Sequence, residues 1–132
     1  MDEPIWVWPE VLLALHRRHL AEHGGAEGLR DSNLFDSAMT RPQNRWGYSP
    51  ETSLFDIAAA YGYGLAKNHA FVDGNKRTAL VAMLLFLELN GYVLTASQER
   101  RYEVLLDVAA GRMEEEKLAK WLQANATPKP AG

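Results

Sequence analysis

No cysteine occurs among the 132 residues. Disulfides and cysteine-based zinc sites are therefore excluded, and a reducing compartment suits the chain. An excess of positive charge is also missing, since the formal net charge is −3 and the isoelectric point is near 5.8. A general nucleic-acid binder is expected to be basic, so no direct nucleic-acid partner is expected. Long hydrophobic runs are missing too. The longest, Ala79 to Leu87, has nine residues, whereas a bilayer span takes about twenty. The start, Met1-Asp2-Glu3-Pro4, is acidic and lacks the apolar stretch of a secretory signal. A soluble, cytoplasmic protein without a membrane partner is expected. What the chain does have is apolar content, 47%, enough for a packed core in one domain over residues 1–125.

The apolar pattern is helical almost throughout. Pro9 suits a first helical position, Val11, Leu12, Leu15, His19 and Leu20 mark one face, and Gly24-Gly25 stops the run. Asp31 can cap a short helix from Ser32 to Met39, which Pro42 terminates, leaving Arg41 to Ser49 as a connector. Ser49-Pro50 opens a longer helix, with Leu54, Ile57, Ala58, Tyr61 and Leu65 at helical spacing, running into His69. A helix from Lys76 or Arg77 to Asn90, capped by Asn75, is apolar nearly all round and is expected at the centre. Tyr92-Val93-Leu94 reads as a short extended piece. Thr95 to Ala110 turns Tyr102, Leu105, Leu106 and Ala109 inward, and Glu114 to Gln123 does so with Leu118, Trp121 and Leu122. The expected fold is all-α, a compact domain of about six helices around the central apolar helix. Residues 126–132 read as a flexible tail.

The densest chemistry lies at His69-Ala70-Phe71-Val72-Asp73-Gly74-Asn75-Lys76-Arg77-Thr78-Ala79-Leu80. A loop that opens a helix exposes unpaired N–H groups and the positive end of the helix dipole. Gly74 lets a phosphate oxygen approach the main chain, Lys76 adds a compact cation, and Arg77 adds a planar fork for two oxygens. Together they form an anion cradle for a nucleotide. Asp73 inside this cationic loop reads as a ligand to Mg2+, which arrives with nucleotide phosphates. His69, six residues before Asn75, reads as a general base for an attacking hydroxyl rather than a helix cap. Phe71 is expected to plug into the core, Asn75 to cap the helix and hold the loop, and Thr78 is a first-turn polar residue counted with Gly74, Asn75, Lys76 and Arg77 on the nucleotide side.

This run resembles the Fic/Doc superfamily. The Fic form of its motif reads H-P-F-x-x-G-N-G-R-x-x-R and the Doc form H-x-F-x-D-A-N-K-R-T-A-L. Lys76 stands where the Fic form has its second glycine and Leu80 where it has its final arginine, while Thr78, Ala79 and Leu80 continue the Doc form. Gly74 departs from the Doc alanine and Ala70 from the Fic proline. Gly28-Leu29-Arg30-Asp31, Ser37-Ala38, Arg41-Pro42 and Leu89-Asn90-Gly91 resemble further runs of Doc-like toxins. The resemblance implies a toxin of a toxin–antitoxin pair. It also implies catalysis through His69, Asp73, Lys76 and Arg77, with ATP as substrate and Mg2+ as cofactor. Its Doc branch implies phosphoryl transfer to a threonine of translation elongation factor EF-Tu, and a Phd-like antitoxin as partner. Its Fic branch implies transfer of AMP to a protein hydroxyl. A module that keeps only antitoxin binding is a third alternative, opposed by the complete set His69, Asp73, Asn75, Lys76 and Arg77.

Three further features admit a plainer reading. His16, His19 and His23 share a helix, but no carboxylate partner is evident, so a solvated face is expected instead of a zinc site. Trp6, Trp8 and Trp46 fall in segments read as non-helical, where they either cover the edge of the core or mark a partner surface. A helix-turn-helix DNA reader is disfavoured, because the helix after Lys76-Arg77 offers no polar face for bases.

Overall fold

The computed structural model describes residues 1–130. Six helices and two short strands follow in the order α1 (Pro9–His23), α2 (Ser32–Tyr48), α3 (Leu54–Asn68), α4 (Asn75–Leu89), β1 (Tyr92–Leu94), α5 (Gln98–Ala109), α6 (Glu115–Ala124) and β2 (Ala126–Pro128). The fold is all-α, as the pattern predicts. Among the described residues no helix is long and apolar enough to cross a membrane.

The centre is α3 rather than the helix after the loop. Helix α3 packs against α2, α4, α5 and α6. Its Ala58, Ala59, Ala60, Gly62, Gly64 and Ala66 are all buried. Small residues let neighbouring helices approach closely: a Cβ at Gly62 would collide with the Met83 thioether of α4. Helix α4 buries Ala79, Ala82, Met83, Phe86 and Leu87 against this surface. Its other apolar side chains, Leu80, Val81 and Leu84, remain half-buried and face a cleft. Its uniform hydrophobicity therefore serves two surfaces, one of them open.

Local signals hold at most helix ends. Asp31 accepts from the Asn33 and Leu34 amides at 2.9 and 3.1 Å and caps α2. Helix α3 starts later than Ser49-Pro50 suggests, because Ser53 and Asp56 form a reciprocal capping box. Helix α2 runs through Pro42 to Tyr48 instead of stopping at Met39. Proline removes one ladder bond, but tertiary contacts carry the helix on. Pro42 is buried, Trp46 meets Trp6 edge to face at 6.1 Å, and Arg45 donates to the Thr52 hydroxyl at 2.9 Å. Trp46 is thus helical, and with Trp6 it covers the edge of the core, whereas Trp8 is exposed. Val11 and Tyr102, expected inside, are also exposed.

The first part of the expected tail forms a short strand. Ala126–Pro128 pairs antiparallel with Tyr92–Leu94, Val93 opposite Thr127, and the Lys129 amide donates to the Gly91 carbonyl at 2.8 Å. An unpaired strand edge beside α4 is a ready template, and proline is tolerated on an edge strand. Residues 131 and 132 of that expectation lie outside the described residues.

One buried hydroxyl ties the N-terminal segment down. Tyr61, 1% exposed, accepts from the Val7 amide at 3.1 Å. Burial pushes its ionisation up to about 12.

Candidate active site

The loop between α3 and α4 is built from both ends. His69 closes α3 in the left-handed region, φ 51° and ψ 46°. It is the one non-glycine residue with positive φ among the described residues, a conformation that non-glycine residues adopt at a cost. Main-chain pairing with the segment before α2 offsets it. The Arg30 and Asp31 amides both donate to the Ala70 carbonyl, at 2.7 and 3.2 Å, and the Val72 amide donates to Gly28 at 3.1 Å. The Arg30 Nε donates to the His69 carbonyl at 2.8 Å. These bonds use only main-chain atoms of the loop and leave the His69 side chain exposed to solvent.

Phe71, 2% exposed, plugs the loop into the core as expected and meets Phe35 edge to face at 5.5 Å. Asn75 holds the loop but does not cap the helix. Its carboxamide accepts from the Phe71 amide and donates to the Phe71 carbonyl, both at 3.0 Å. The cap position falls one residue earlier, on Gly74 at φ 77°, with no side-chain cap. A glycine without a capping side chain leaves the first amides of α4 open. Helical pairing begins with the Thr78 amide, which donates to Gly74 at 3.0 Å, so the amides of Asn75, Lys76 and Arg77 point outward.

These residues border a cleft of about 460 Å3. Its floor is Asp73 to Arg77, continued along α4 by Leu80, Val81 and Leu84. Its far wall is Gln98, Arg101, Tyr102 and Leu105 of α5, and His19 of α1 stands at the near rim. Among the described residues neither Lys76 nor Arg77 is ion-paired. Two free cations beside open amides create a strong demand for an anion. Arg101 adds to it: one guanidinium nitrogen donates to the Leu94 carbonyl at 2.9 Å, and among the described residues its buried Nε has no partner.

The structure therefore gathers Asp73, Gly74, Asn75, Lys76 and Arg77 in one cleft. His69 lies outside it, at the other end of the loop. Thr78 differs from its expected place: it is 3% exposed and turned away from the cleft, because its position on α4 falls on the buried face. Asp73 keeps one carboxylate oxygen on the Gly74 amide at 2.9 Å, and a Cβ at Gly25 would come within 3.1 Å of the other. Among the described residues no cluster of three metal-ligating side chains occurs. One carboxylate beside a phosphate cradle fits Mg2+, which takes most of its remaining oxygens from phosphate and water.

The three histidines of α1 do not form a solvated face. His16 is 3% exposed, its Nε2 lies 2.8 Å from the Asp73 carbonyl oxygen, and its ring stacks on Phe71 at 3.9 Å. His19 is half-buried at the cleft rim and stacks on exposed His23 at 4.4 Å. Its pKa is lowered, first by burial and then by the Arg77 guanidinium and the neighbouring histidines. His16 and Arg101 escape a sequence reading because each lies on a helix far from the loop. The only sequence signal for His16 is that it falls four residues after Leu12 and four before Leu20, on the buried face.

The chain belongs to the Fic/DOC family, whose description matches residues 6–87. Two relatives extend the likeness. It is 41% identical over 91 residues to the "Protein kinase doc" of Escherichia phage P1, covering 69% of this chain and 72% of that protein. It is 45% identical over 91 residues to the "Toxin Doc" of Mycolicibacterium smegmatis, covering 67% of this chain and 70% of that protein.

Proposed function

We propose that this chain transfers the γ-phosphoryl group of ATP to a protein hydroxyl. The hydroxyl oxygen bonds to the γ-phosphorus, the bond from that phosphorus to the β–γ bridging oxygen breaks, and ADP leaves. The hydroxyl proton passes to the imidazole of His69. An exposed base suits a macromolecular substrate, which must approach from solvent. The open amides of α4, Lys76 and Arg77 bind the phosphates and the charge that spreads over them in the transition state. Asp73 would hold Mg2+, which neutralises phosphate charge when bound.

The observation that carries phosphoryl over nucleotidyl transfer is Lys76 at the start of α4. Its side chain crowds the place where the Fic form has glycine and sets its charge further out. On this reading the terminal phosphate is the one presented toward the His69 end of the loop. Leu80, an apolar wall of the same cleft, supplies no second phosphate contact. One relative is named a protein kinase, which supports this reading, and the other a toxin, which supports the toxin role alone. AMP transfer is the second reading, and Gly74 favours it, as a Fic-like residue in the left-handed conformation.

By the same family likeness, the chain acts in the cytoplasm as the toxin of a pair, restrained by a Phd-like antitoxin. Its substrate is then a threonine of EF-Tu, whose modification blocks translation. Incubation with γ-labelled ATP, Mg2+ and purified EF-Tu should yield labelled phosphothreonine. Label on another lysate protein alone would replace the substrate, and absence of γ-label from every protein would overturn the kinase reading.

A further inference from the structure

Asp73 needs more than its place in the sequence to act: its carboxylate must be aimed. The Asp73–Gly74 peptide is held at both ends. Its carbonyl faces the His16 Nε2 at 2.8 Å, and its N–H donates to the Asp73 carboxylate at 2.9 Å. A carbonyl oxygen only accepts, so Nε2 carries the proton and the ring donates. Rotation of that peptide would break both bonds and swing the carboxylate. The ring is itself fixed by its stack on Phe71 at 3.9 Å, with 24° between the planes, and by burial to 3% exposure.

We propose that His16 is a positioning residue, which orients the Asp73–Gly74 peptide and through it the carboxylate that faces Mg2+·ATP. The proposal rests on the phosphoryl-transfer reading for the chemistry that follows, but not for the geometry. His16 touches no reacting atom. Its contribution is a carboxylate already aimed when the nucleotide arrives.

Two variants separate the hydrogen bond from the packing. His16→Phe keeps a buried ring against Phe71 and loses the donor. His16→Gln keeps a donor at similar reach and loses the ring. His16→Phe should fold, and should raise the Mg2+ concentration for half-maximal transfer about 10–100-fold, the usual consequence of removing an outer-shell partner. His16→Gln should recover most of that loss. A purely packing role predicts the reverse order, and an unshifted Mg2+ dependence in folded His16→Phe would overturn the proposal. The second readout needs neither a variant nor turnover. Ring 15N resonances of the unaltered protein should show Nε2 protonated, and Mg2+ with a non-hydrolysable ATP analogue should shift the His16 and Asp73 signals together. An unprotonated Nε2, or signals that stay fixed at saturating analogue, would overturn it. Transfer of AMP instead of phosphate would end the kinase reading alone, because this readout is independent of the group transferred.

Discussion

The His69 end and the Gly74 end of one loop are held in opposite ways. At the His69 end the fasteners are main-chain bonds from Gly28, Arg30 and Asp31, supplemented by the Arg30 side chain. They act on carbonyls and amides, so the imidazole is left free. At the Gly74 end the fasteners are side chains, two of them besides the Asp73 carboxylate on the Gly74 amide. Asn75 clasps both polar atoms of the Phe71 main chain, and His16 reaches the Asp73 carbonyl from α1. The first arrangement tolerates a change of side chain on the loop; the second fails if one side chain is lost. On the proposed reading, chemistry falls at the first end and binding at the second. A base can be exchanged for alanine without moving its backbone, whereas the anion cradle depends on fixed amides.

That contrast orders the expected effects. His69→Ala should lower transfer by about 10²–10⁴-fold, while melting temperature and affinity for Mg2+·ATP stay close to those of the unaltered chain. Loss of binding in step with activity would erase the distinction between the ends. Lys76→Ala should weaken ATP binding by roughly 1.5–3 kcal/mol, the range of charge-assisted contacts. Arg77→Lys should weaken it less but measurably, because the planar fork is lost. Calorimetric titration decides this, and unchanged affinity in both would place the cradle elsewhere. Asn75→Ala should destabilise the fold by about 1–3 kcal/mol, since two loop main-chain groups lose their partner; denaturant unfolding reads it.

The smallest effect concerns His19. Its pKa in the folded chain lies below 6.5, by burial first and the Arg77 charge second. The unfolded chain therefore takes the proton more readily, and stability falls as pH drops below 6.5, levelling off once the folded value is passed. In Arg77→Gln an NMR titration should find the His19 pKa raised but still below 6.5, since burial remains. No movement at all would mean that Arg77 does not face the rim.

How much of this was legible in the sequence follows from the range of each interaction. The Asp31 cap, the Gly24 stop and the buried Phe71 rest on contacts or patterning within a few residues, and the sequence displays them. So does the gathering of Asp73 to Arg77 in one cleft, because these residues are contiguous. Pro42 misleads because its cost is local, while the packing of Trp46 on Trp6 that overrides it joins distant parts of the sequence. Placing α4 at the centre fails for a related reason. Hydrophobicity marks what avoids water, whereas the small side chains of α3 decide what can be surrounded. His16 is invisible for a still longer range, since its partner lies 57 residues away. The strand β2 likewise needs β1 beside it before Ala-Thr-Pro reads as anything but a tail.

The most direct test of the central claim uses ATP carrying distinct isotopes at the α- and γ-phosphorus in one reaction with the unaltered protein. With Lys76 at the start of α4, the modified protein should carry the γ isotope and none of the α isotope. Product carrying the α isotope without the γ isotope would contradict the account and assign the cleft to AMP transfer.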